Sequence, residues 1–226
     1  MTDSAPTAQR SPFTATVAAG TLALLTSILA WVFAGATLGL VIATLTFATL
    51  IVAPLTGAIT ARSPLPIAAS AILGIAIIWI LAFGHPIGLI TTLKMLLVLA
   101  TYVLAVSGVV RLLIRAGFES TIAAAVTVIL ALAWLSWPIW LSGHLSEGRL
   151  LSALVAAHPI FAINGTSDAF GVWTQQHLMY RLTALGQDVP FTLPRSILPC
   201  VVTHALLGAL VMLRGSSARA EISVGS

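Results

Sequence analysis

The sequence predicts an all-α fold, a polytopic integral membrane helix bundle of about six transmembrane helices with a helical outer-face cap between the last two spans. Three observations carry this expectation. Of 226 residues, 59% are hydrophobic and 7% charged, against roughly 25% charged in soluble domains. Mean hydropathy is +1.08. Six windows, at about 13–34, 37–59, 64–83, 87–110, 120–141 and 193–213, each supply the roughly 20 apolar residues that cross about 30 Å of hydrocarbon. The chain then divides into a cytoplasmic tail (1–12), five transmembrane helices (13–141), an outer-face loop (142–192), a sixth transmembrane helix (193–213) and a cytoplasmic C-terminal tail (214–226).

The first window has a superficial likeness to a secretory signal, with Arg10 ahead of it and Ala34-Gly35-Ala36 behind. Its apolar run, 13–33, is longer than the roughly 7–15 residues of a signal core and reads as an uncleaved span. Small residues crowd the first two windows, including Gly35 and Gly39 at the tight first turn. Such faces let helices approach closely, within the bundle or against a partner subunit.

Orientation follows from arginine. With both termini cytoplasmic, the inner segments carry Arg10, Arg62, Arg111, Arg115, Arg214 and Arg219, and the outer ones Arg149, Arg181 and Arg195. That bias supports termini-in, in a cell or inner membrane. Trp31, Trp79, Trp134, Trp137 and Trp140 all fall near the outer ends of spans, where an indole sits at headgroup level. The basic pI near 10.2 comes from singly scattered arginines rather than a patch, so nucleic acid is not an expected partner.

Polar chemistry concentrates in residues 134–199, which hold four of six Trp, three of five His and three of six acidic residues. Trp134, Trp137 and Trp140 recur at spacings of three on one side of a helix, an interfacial anchor or a stacking surface. The apolar run 150–163 is short for a span and broken by Pro159, which predicts an interfacial or re-entrant piece. Asn164-Gly165 is a turn signal, and Thr166, Ser167 and Asp168 are N-cap candidates for a helix to Leu185, stopped by Gly186. Phe170, Trp173, His177, Tyr180 and Ala184 share one face of that helix, and Val172, Met179, Leu182 and Leu185 make the others apolar. A helix apolar nearly all round packs on the bundle as a cap. Gln187, Asp188 and Pro190 lead through Pro194 and Arg195 into the last span. His85-Pro86-Ile87 echoes His158-Pro159-Ile160, by chance or by a weak internal duplication.

Inside the spans, Lys94 lies about seven residues from the outer end of the fourth window, roughly 10 Å deep. It either snorkels outward or pairs with Glu147, Asp168, Asp188 or an anionic headgroup. His204 is near the middle of the last span, one turn after Cys200, the single cysteine. Two ligands at i and i+4 fall short of a metal site, and a bis-histidine haem lacks a partner at matching depth. Pro194 and Pro199 suggest a kink there.

No acidic residue falls within any window, which argues against a proton pump working through a buried carboxylate. Walker, HExxH and GxSxG motifs are absent. The favoured reading is a non-catalytic subunit of a membrane complex or a permease-like transport component, with the bilayer and other membrane subunits as partners. The competing one is a membrane-embedded enzyme acting at the outer leaflet on a lipid-linked or anionic substrate. His158, Asp168, His177, Arg181 and Asp188 would then supply acid–base and anion-binding groups. Lys94, Trp173 and His204 are the candidates for ligand contact. No cofactor and no metal is expected.

Overall fold

The computed structural model describes residues 12–59, 63–85, 87–141, 144–145, 148–167 and 192–223, the side chains of Pro12 and of 211–223 excepted. The described residues form α1 (Pro12–Ala34), α2 (Leu38–Gly57), α3 (Leu65–Phe83), α4 (Leu89–Arg115), α5 (Ser120–Trp140), α6 (Arg149–Ala157), α7 (Pro159–Thr166) and α8 (Leu198–Ser223). The first five are long and apolar enough to cross a membrane. This is a helical integral membrane protein with several spans. The helix expected as the sixth span begins at Leu198 rather than at 193.

Helices α2 and α4 form the centre. α2 packs on α1, α3, α4 and α5, while α4 packs on α2, α3, α5 and α8. Over the described residues α5 and α8 barely meet, although both lie on α4. The outward faces carry Leu81, Ile90, Ile129 and Leu210, all exposed, as a lipid-facing surface requires.

Close contact between helices rests on glycine, but not on the pair at the first turn. A Cβ on Gly74 of α3 would lie 2.6 Å from the carbonyl oxygen of Gly20 in α1. One on Gly57 of α2 would lie 2.6 Å from that of Ser120 in α5. Small residues therefore serve packing within the chain here, since lipid offers no hydrophobic drive and close fit must supply the attraction. Gly35 meets no neighbour; its φ of +62° is what the α1–α2 turn needs. Thr37 caps α2, accepting from the Gly39 N–H at 3.2 Å.

The 150–163 run proves to be two short helices with a break at His158, whose backbone is extended. At about 1.5 Å per residue neither reaches half of a 30 Å core. α6 rests on α8, and α7 on α4 and α2. Pro159 sits in the first turn of α7, where its missing N–H costs nothing, so it starts a helix as well as ending one.

Two local expectations are corrected. Asn164-Gly165 is not a turn but part of α7, which continues to Thr166. The Thr166 hydroxyl donates back to the carbonyls of Ala162 and Ile163. Gly165 has a different use, since any Cβ there would overlap the Pro194 carbonyl oxygen. Pro194 precedes α8 and Pro199 is its second residue, so neither interrupts that helix. The expected helix from Asp168 and its cap lie outside the described residues.

Candidate functional site

The tryptophan-bearing end of α5 carries the densest polar and aromatic cluster. Pro138 stands inside α5 and has no N–H to give to the Trp134 carbonyl one turn earlier. His158, at the break between α6 and α7, is set against this opened turn. Its Nε2 lies 3.3 Å from the Leu135 carbonyl oxygen. A carbonyl only accepts, so Nε2 carries the proton; Nδ1 is buried without a partner. His158 is 0% exposed. Burial pushes its imidazole down to about 3, with the backbone of Leu135 and Trp134 pulling the other way.

Three aromatic rings enclose His158, with centroids at 4.9 Å (Phe161), 5.5 Å (Trp134) and 5.9 Å (Trp137). Trp134 also lies 6.3 Å from His204, placing one indole between the two histidines. The His204 Nδ1 donates to the Cys200 carbonyl at 2.8 Å, with Cys200 Sγ 3.5 Å away. Its ring meets Tyr102 edge-on at 5.6 Å. The Tyr102 hydroxyl reaches Thr49 Oγ1 at 2.8 Å. A continuous aromatic and polar contact chain thus runs from α7 through α5 and α8 to α4 and α2.

Beside it a cavity of about 370 Å³ opens between α4, α5 and α8. Tyr102 and Val106 of α4, Ala131 and Trp134 of α5, and His204 and Leu207 of α8 shape it. Its wall is apolar almost throughout. His158 is not on it.

Of the residues singled out from sequence, His158 and His204 are brought together through Trp134. Lys94 is exposed on α4 and makes no contact with the cluster among those described. Asp168, Trp173, His177, Arg181 and Asp188 lie outside the described residues, as does Glu147. The three indoles spaced by three do not act alike: Trp140 is exposed at 54%, but Trp137 is 2% exposed and Trp134 half-buried. Among the described tryptophans only Trp140 and Trp31 have the exposure of a headgroup anchor. His85 lies exposed in the α3–α4 connection, so its motif and that of His158 occupy unlike settings. Among the described residues no three His, Cys, Asp or Glu side chains gather as a metal site requires.

Thr49, Tyr102 and Pro138 escaped the sequence reading. Their signal was present, as hydroxyls and a proline deep within apolar windows, but nothing in the order of residues says which span faces which. No family model, no curated protein and no solved structure matches this chain.

Proposed function

We propose that this integral membrane protein is a non-catalytic, permease-like component of a membrane complex. One observation carries the reading: α6 and α7 are a broken helix pair, the second buried from Pro159 to Asn164 and packed on α2 and α4. Discontinuous helices are how membrane transporters place backbone and polar groups at a substrate path. Non-helical backbone at membrane depth is tolerated only where protein or a water-filled cavity surrounds it. The extended break at His158 meets that condition, being fully buried among protein side chains. His158 is enclosed on the cavity-free side of Trp134, an unsuitable position for a catalyst that must touch an external substrate. The windows hold no carboxylate to couple a proton gradient, so energy would come from a partner.

The single cysteine makes a clean test. In a Cys200→Ser background, Ala162→Cys and Asn164→Cys are exposed to a charged methanethiosulfonate reagent in sealed membranes, with Ser196→Cys as the exposed control. A transport path requires α7 to become wet during opening, so both positions should label slowly while the control labels at once. Complete protection of both, beside full labelling of the control, refutes the permease reading. Mild purification from native membranes examines the complex: a lone monomer would overturn that half.

A further inference from the structure

The cavity between α4, α5 and α8 asks for an occupant that the proposed function does not supply. We infer that it is a binding site for the hydrocarbon tail of a single membrane lipid, an acyl or isoprenoid chain. The inference is independent of the permease reading.

The wall decides the chemistry. Thr203 and His204 reach the wall, yet almost none of its surface is polar. Thr127 donates to the Ala123 carbonyl at 2.7 Å, the His204 Nδ1 to that of Cys200, and the Tyr102 hydroxyl is engaged by Thr49. The Trp134 Nε1 is buried out of reach. A ligand with a polar head would lose hydration there and gain little. An apolar enclosure excludes water and takes apolar ligands instead.

Access and size decide the rest. α5 and α8 barely meet over the described residues, and Leu130 and Leu207 flank that gap at 54% and 43% exposure. The mouth thus has an exposed apolar rim that suits contact with hydrocarbon. At about 370 Å³ the cavity lies at the small end of the roughly 300–1,000 Å³ of ligand sites. A space of this size with an apolar wall suits a flexible hydrocarbon chain. Ala105 and Ala131, 3% and 8% exposed, leave the space on opposite walls that larger side chains would fill.

The test uses full-length protein in phosphatidylcholine vesicles whose acyl chains are brominated, since bromine quenches an indole only on contact. The signal of Trp134 is taken as the difference between the wild type and Trp134→Phe. It should be strongly quenched in the wild type, and Ala131→Phe should reduce the quenching at least twofold by filling the space. Ala105→Leu, from the opposite wall, must do the same, which guards against a fold lost in one variant; circular dichroism checks both. Adding an unbrominated isoprenoid alcohol distinguishes the sources: relief of quenching assigns an isoprenoid tail, and none an acyl chain. An unquenched Trp134 in the wild type overturns the site. So does quenching that neither cavity-filling variant changes.

Discussion

The Thr49–Tyr102 hydrogen bond predicts an asymmetry between its two halves. Thr49 Oγ1 contacts both the Leu45 carbonyl, at 3.0 Å, and the Tyr102 hydroxyl, at 2.8 Å. The carbonyl can only accept, so the single hydroxyl proton of Thr49 points to Leu45 and Tyr102 is the donor to Thr49. Tyr102→Phe then removes one interhelical bond and leaves the Thr49 proton satisfied. Such bonds within membranes contribute about 0.6 kcal/mol on average, which sets the expected cost. Thr49→Val keeps the shape but strands the buried Tyr102 donor, at about 1–3 kcal/mol. The double variant should recover most of that penalty, giving a coupling of opposite sense to simple addition. Reversible unfolding in mixed micelles, followed by circular dichroism as denaturing detergent rises, measures all three. Equal costs for the two single variants, or strict additivity in the double, would refute this assignment of donor and acceptor.

Other outcomes follow from the same geometry. Gly74→Ala drives a methyl into the Gly20 carbonyl across the α1–α3 seam, and overpacking of this kind should lower stability by about 1–3 kcal/mol in the same unfolding assay. Gly165→Ala meets the Pro194 carbonyl and should detach α7 from the segment leading into α8, read as new protease cleavage near 192–197 with the spans intact. His158 sets a pH dependence. Its folded pKa of about 3 lies below its ordinary 6.5, so the unfolded chain takes up a proton that the folded one refuses. Its contribution is fully present above pH 6.5 and is lost as pH falls towards 3, at up to about 1.4 kcal/mol per unit. Unfolding midpoints measured between pH 7 and 5 should therefore fall in the wild type, and His158→Phe should flatten that slope.

Much of this architecture was legible because a bilayer imposes a simple rule on sequence. Five apolar windows became helices of the expected length, for the backbone has no other way to satisfy its hydrogen bonds in hydrocarbon. The break in 150–163 was equally readable from Pro159. What the order of residues left open was the azimuth of each helix. With every face apolar, no periodicity separated the side of α5 that holds Trp137 inward from the side that leaves Trp140 outside. For the same reason Thr49 and Tyr102 could not be paired, 53 positions apart. The 164–165 turn failed on a local ground. Asn-Gly favours turns in isolation, but here the Gly165 backbone is needed against Pro194, and tertiary contact overrode the preference.

The cluster and the cavity share one side chain, and this limits how the molecule can move. Trp134 contacts His158 on one side and His204 on the other while forming part of the cavity wall. Its indole nitrogen has no hydrogen bond to hold it, so packing alone fixes the ring. A displacement of His158 would press on this ring as well as on Trp137 and Phe161, and only Trp134 of the three has the cavity beside it. An occupant of the cavity would touch the same ring. The broken helix and the cavity thus meet at one side chain of α5, in the turn where proline has removed a backbone hydrogen bond.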